Sequence, residues 1–171
     1  MKDALSILQS YLHEAPVNIE GLIRELGIEL DKKADLDESI AGQIERLKNG
    51  KYKISVNKDD HYYRQRFTMA HELGHYFFHR SLIGDGVNDS KAYRSTCEGQ
   101  FCNANIKPAH ETRANQFAAS ILMPEPLVCE IYKELKGDVA EIAKRFQASK
   151  QAMQIRIDSI DTLSPVETIV G

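Results

Sequence analysis

The stretch RFTMAHELGHYFFH, residues 66–79, constrains the fold more than any other. It contains His-Glu-x-x-His, running from His71 to His75. On a helix turning about 100° per residue, His75 follows His71 by about 40° and one turn, so both imidazoles point the same way. Glu72 falls at about 100° and flanks that face. Leu73, Phe77, Ala70, Gly74 and Phe78 are assigned to the opposite side, at about 200° to 340°. The helix therefore needs an apolar core behind it and keeps an ionisable face in front.

Two neutral imidazoles at this spacing suit a zinc ion, which binds such nitrogens at about 2.0–2.1 Å and in hydrolytic sites commonly takes three protein ligands plus water. Water acidified by the ion can pass its proton to a neighbouring carboxylate, the place Glu72 occupies. Chance would produce the motif in under about 1% of chains this long, and the competing reading is a polar helix face of salt-bridge partners. The extended pattern with a third histidine needs glycine at 78 and histidine at 81, but Phe78 and Ser81 stand there. A third ligand must then come from another element, and a carboxylate on a later helix is the usual complement to two histidines. Glu111 is the best candidate. Asn115, Ala118 and Leu122 share its helical face, with Ala114 within about 60°. Small residues at 114 and 118 would let that helix approach closely. Asn115 is read either as orienting the carboxylate or an imidazole, or as a helix-packing amide. Glu98, in a glycine-rich loop, and Glu125, between two prolines, are poorer candidates. His79 lies about 12 Å along the axis from His71 and is assigned to capping the helix C-terminus, where positive charge is favourable. His13, His61 and His110 are read as surface residues or outer supports of the site.

Around this helix the chain alternates short elements. Residues 3–12 read as an amphipathic helix, and a second starts at Asn18 and stops at Gly27. Strands are expected over IELDKKADL and SIAGQIER, then YKISVN after the Asn49-Gly50 turn. Asp59 or Asp60 is expected to cap the histidine helix. Residues 80–107 read as a long loop, and Pro108 opens a helix that runs to Pro124. Pro124 and Pro126 predict an extended exit, and two or three short helices complete the chain.

At 171 residues the chain suits one domain with a small appendage. No run reaches the roughly 18 apolar residues of a membrane span. The N-terminal MKDALSILQSYLHEAPV interrupts the apolar core that a secretory leader needs, which assigns the chain to the cytoplasm. Three cysteines, Cys97, Cys102 and Cys129, fit reduced thiols better than a disulfide framework. A net charge of -3 gives no general attraction to nucleic acid or anionic membrane. DVAEIAKRFQASKQAMQIRI has the outline of a helix-turn-helix, with a turn around Gln147–Ser149. Four basic against three acidic residues over 137–160, a balance of +1, argue for a helical packing unit over a DNA reader.

RFTMAHELGHYFFH followed by ETRANQFAASILMP resembles the ImmA/IrrE family of metallopeptidases. The family pattern is Arg-Phe-Thr-x-Ala-His-Glu-x-Gly-His, then Glu-x-x-Ala-Asn-x-Phe-Ala-Ala, then a Leu/Met-Pro ending. The resemblance covers roughly residues 15–160 and implies His71, His75 and Glu111 as metal ligands with Glu72 as catalytic base. It departs at Arg113, where many relatives carry a second glutamate. The expected fold is α+β: a zincin-like core with a small antiparallel sheet of three or so strands. Beside the sheet lie the His-Glu-x-x-His helix and a glutamate-bearing helix, with a C-terminal helical segment. Residues 1–130 would form the metallopeptidase domain and 131–171 a helix-turn-helix-like segment packed on it. The ion would be Zn2+, with Mn2+ or Fe2+ fitting the same ligands. By resemblance the substrate would be a helix-turn-helix repressor or regulator in a mobile-element, toxin-antitoxin or stress-response setting. The alternatives are a non-cleaving antitoxin or anti-repressor on the same metal fold, or a DNA-binding regulator acting through residues 138–160.

For substrate pairing, the strand Lys51–Asn57 is the expected edge. Tyr93 is a candidate oxyanion donor.

Overall fold

The computed structural model describes residues 1–83 and 106–163 together with the backbone of Tyr93–Arg94. Cys97, Cys102, Glu98 and the Tyr93 side chain lie outside the described residues.

Two short helices open the chain. In α1 (Ala4–Ser10) the Asp3 carboxylate accepts the Ser6 N–H, and in α2 (Ile19–Glu25) the Asn18 side chain accepts that of Gly21. Gly27 then ends the turn at φ +77°, a conformation that a residue with a Cβ adopts only with strain. β1 (Glu29–Ala34), β2 (Gly42–Arg46) and β3 (Tyr52–Asn57) come next, with β2 and β3 joined through Asn49-Gly50, where φ is +82°. The Leu47 N–H donates to the Lys51 carbonyl at 2.8 Å and closes that hairpin.

The sheet is mixed, not wholly antiparallel. Its order is β1-β3-β2-β4, where β4 is the two-residue strand Tyr93–Arg94 on the outer side of β2. β3 pairs antiparallel with β2 and parallel with β1. The cause is the connection over residues 35–41, which carries the chain past one strand position and leaves a gap between β1 and β2. β3 returns into that gap and so runs alongside β1. Asn57 holds the connection in place, its Nδ2 donating to the carbonyls of Leu36, Asp37 and Ile40. β3 is therefore central, with Ile54, Ser55, Val56 and Asn57 all buried, and the edge role expected for it does not hold.

α3 (Tyr62–Phe78) carries the histidines. His61 caps it instead of Asp59 or Asp60, its Nδ1 accepting the Tyr63 N–H at 3.2 Å. The turn before the helix closes on Asn57, whose Oδ1 accepts the Asp59 N–H, while Asp60 pairs with Arg64 at 3.5 Å. Buried Arg66 ties the helix to the segment before α2 by donating to the Val17 carbonyl at 2.9 Å. Within the expected loop, Arg80–Leu82 form one 3-10 turn, Ile83 is buried, and Tyr93–Arg94 join the sheet.

α4 (Pro108–Leu122) is succeeded by α5 (Glu125–Glu134), α6 (Val139–Phe146) and α7 (Lys150–Asp158). The Pro124–Pro126 exit is extended only at Pro124 (φ -57°, ψ 131°), and α5 begins at the next residue. Pro126 stands in the first turn of α5, where its missing N–H leaves no helical bond unmade. Gln147, in the left-handed region, and Ser149, which caps α7, form the turn between α6 and α7. Leu22, Ile54, Leu73, Leu122, Val128, Phe146 and Met153, drawn from helices and sheet alike, belong to one apolar cluster.

Candidate metal centre

α3 and α4 are in close contact because one residue of α3 has no side chain. A Cβ on Gly74 would stand 3.1 Å from the Ala114 Cα and 3.3 Å from its carbonyl oxygen. Ala114 and Ala118, both buried, keep the facing side of α4 low. Pro108 pre-sets the first turn of α4, and Glu111 stands in that turn, where the helix dipole favours a negative charge.

Three side chains converge. The Nε2 atoms of His71 and His75 are 3.0 Å apart. Glu111 brings Oε2 to 3.0 Å from His71 Nε2 and Oε1 to 3.6 Å from His75 Nε2. Both rings are buried, and the three ligand atoms lie within 4.8 Å of one another, an arrangement that could hold a metal ion. Ligands at about 2.0–2.1 Å from a tetrahedral ion stand about 3.3 Å apart, and these separations bracket that value. The donor chemistry agrees. His71 Nδ1 lies 2.7 Å from Asn115 Oδ1, an acceptor, so its proton is on Nδ1, and in the neutral form of the ring the Nε2 lone pair faces the other two groups. Lone pairs and a carboxylate facing one another at such distances call for a cation between them.

The electrostatics differ between the rings. Burial pulls the His71 pKa down, but the Glu111 hydrogen bond and the Glu72 and Glu111 charges outweigh it and leave the pKa raised. His75 is pushed down to about 2 by burial, then by His71, His79 and His110. Glu72, fully buried, stands next to His71 on the helix and acts on it through its charge.

His79, assigned from sequence to capping the helix, and His110, read as a surface residue or an outer support, both belong to this neighbourhood. His79 is the C-cap residue of α3, but it serves as no helix-end cation. Its buried ring lies 2.9 Å, Nδ1 to Nδ1, from His75, and burial with the His110 and Arg113 charges lowers its pKa. His110 packs on it with ring centroids 4.6 Å apart, while its own Nδ1 accepts the Lys107 N–H. The readable signal is the unbroken four-residue spacing His71, His75, His79. Phe78 is not in the core either, being 41% exposed. At about 340° it lies only about 20° from His71, so it prolongs the ligand face by one turn. Arg113 lays its guanidinium 4.0 Å over the Phe78 ring.

A mixed sheet backed by a His-Glu-x-x-His helix, with a glutamate delivered from a second helix, is a zincin-like core. Residues 25–158 match the family described as the IrrE N-terminal-like domain, and the chain belongs to this ImmA/IrrE family of metallopeptidases. It is 36% identical over 99 residues to the radiation response metalloprotease IrrE of Deinococcus radiodurans, covering 56% of this chain and 27% of that protein. With the metallopeptidase ImmA of Bacillus subtilis it shares 26% identity over 114 residues, covering 66% of this chain and 59% of that one. The chain thus spans about a quarter and about three fifths of these two relatives. A Mycobacterium tuberculosis transcriptional regulator has a similar fold, with a TM-score of 0.62 at 15% identity, covering 92% of this chain and 47% of that one.

Proposed function

We propose that the chain is a zinc-dependent endopeptidase of the cytoplasm that cleaves a helix-turn-helix repressor or regulator. The observation that carries this reading is the convergence of His71, His75 and Glu111 from two helices, with Glu72 buried beside them. His71 and His75 would bind the ion through Nε2 and Glu111 through its carboxylate, while Asn115 holds the His71 ring by its Nδ1 proton. When bound, a divalent ion supplies Lewis acidity to a peptide carbonyl and to water. Glu72 moves the proton: its carboxylate takes it from the attacking water and returns it to the leaving amine. Manganese or iron would suit the same donors. The family resemblance supports a repressor as substrate.

Direct DNA reading by the C-terminal helices has less support. Lys144 pairs with Glu141 and Arg145 with Glu134, and Arg156 donates to the Met123 carbonyl, so these cations are engaged within the chain. Residues 131–171 would then serve as a packing or recognition unit on the domain formed by residues 1–130. Among the described residues no helix is long and apolar enough to cross a membrane. The test incubates the purified chain with the repressor encoded beside its gene, with and without a chelator. Cleavage abolished by the chelator is the expected result. A stable complex without cleavage would make the chain a binding protein, and a shift of promoter DNA by the chain alone would make it a DNA-binding regulator.

A further inference from the structure

The buried histidine at the end of α3 has no part in the proposed reaction, yet it is bonded to a group that does. We infer that His79 is a positioning residue for the metal centre, accepting the Nδ1 proton of His75 and thereby fixing the ring that presents Nε2 to the ion. This rests on the metallopeptidase reading above.

Two Nδ1 atoms 2.9 Å apart require one to donate and the other to accept. His75 directs Nε2 at His71 Nε2 and Glu111 Oε1, and an ion there needs the Nε2 lone pair. The His75 proton must then be on Nδ1, which makes His79 the acceptor and puts its own proton on Nε2. The backbone makes the contact possible. The His79 N–H still donates to the His75 carbonyl at 2.8 Å, but φ -128° and ψ 24° leave the helix and turn the ring back along the ligand stripe. His110 closes on the ring from the first turn of α4, one residue before Glu111. Ligating histidines usually donate their second N–H to a carboxylate, a backbone carbonyl or water. A neutral imidazole does the same without adding charge to a set that already holds Glu111 and Glu72.

Zinc affinity of the full chain, measured by competition with a chromophoric chelator, tests this, with unfolding of the metal-free chains measured in parallel. His79→Phe keeps the ring volume and removes the acceptor; His79→Ala removes both; His79→Asn places an amide oxygen near the Nδ1 position. The Phe and Ala substitutions should weaken zinc binding about 10- to 100-fold, with Asn within about threefold of wild type. Affinity that tracks volume, with Phe matching wild type or Asn as weak as Ala, would overturn the inference. Where the His79→Phe chain fails to fold, the comparison of Asn with Ala decides. Wild-type zinc binding lost in His75→Ala is the reference: its absence would overturn the metallopeptidase reading itself, whereas its presence alongside an unaffected His79→Phe chain overturns only the role of His79.

Discussion

Replacing Gly74 by alanine pits two effects of known size against each other. Alanine is favoured over glycine in a helix interior by about 0.8–1.0 kcal/mol, which on its own would stabilise α3. The added methyl, however, would meet the Ala114 Cα at 3.1 Å, the Phe117 Cδ1 at 3.1 Å and the Ala114 oxygen at 3.3 Å. The Phe117 ring can rotate away. The Ala114 contacts are backbone, and relieving them means moving α4 outward by a few tenths of an ångström. Overpacking of this kind costs about 1–3 kcal/mol. The net expectation is a loss of about 0–2 kcal/mol in the metal-free chain, with each kcal/mol lowering Tm by about 2–4 °C at this size. A larger effect should fall on metal affinity. Glu111 stands one turn before Ala114 on α4, and metal–ligand distances tolerate only about 0.2 Å. Gly74→Ala should therefore weaken zinc binding at least about tenfold, out of proportion to its effect on folding. Urea unfolding and a chelator-competition titration on the same samples measure both quantities. A variant stabilised by the full helix-propensity gain and binding zinc like wild type would refute the reasoning, because α4 would then be free to adjust.

Other perturbations have equally definite outcomes. Glu72→Gln should keep zinc affinity and lose cleavage by about 10²- to 10⁴-fold, and full activity in a repressor-cleavage assay would remove Glu72 from the proton transfer. In the metal-free chain, the folded pKa of His75, about 2, lies below its ordinary 6.5, so the stability that neutral His75 contributes is complete above pH 6.5 and falls as the pH drops. The slope approaches about 1.4 kcal/mol per pH unit for one proton. His79 acts in the same direction, while the raised pKa of His71 acts only above 6.5. Urea midpoints at pH 6.5 and 5.5 should therefore differ, and equal stability at the two would contradict the burial of His75. Arg156→Ala removes a donor at 2.9 Å from the Met123 carbonyl and should cost about 1.5–3 kcal/mol in urea unfolding; a change under about 0.5 kcal/mol would mean that the contact does not hold α7 to the end of α4.

Helical periodicity makes the near half of the site legible. The phase of His71 and His75 is a property of the chain itself, and so is the smallness of Ala114 and Ala118 beside Glu111. Asn18, Gly27, Asn49-Gly50 and Pro108 act on their immediate neighbours, and the structure places each at the boundary or turn it predicts. Relations between distant segments are not legible. YKISVN alternates like a half-buried strand, yet Ile54 to Asn57 are all buried, and β3 is central because it inserts between β1 and β2, an insertion that no local pattern records. Pro126 resembles a helix stop and is instead a helix start, since proline suits the first turn and the two cases differ only in the conformation of the residues after it. His79 is hidden for a similar reason: at a helix C-terminus a histidine usually meets solvent and the dipole, and only the arrival of α4 with His110 buries this one.

The contacts between α3 and α4 explain how a glutamate thirty-six positions downstream of His75 is held in place. Asn115 meets His71, Glu111 meets His75, and His110 meets His79, so the numbers rise on one helix as they fall on the other. The polar rungs of this pairing are the proposed ligands with their supports. On the apolar side of the same interface Gly74 lies against Ala114, and Phe77 and Phe78 against Phe117. Sliding α4 by one turn would part Asn115 from His71 and His110 from His79, and would carry Ala114 and Phe117 off the surface that Gly74 leaves open. The apolar contacts thus set the register of the polar ones. The two helices can form the ligand set as a consequence of packing, before any ion contributes.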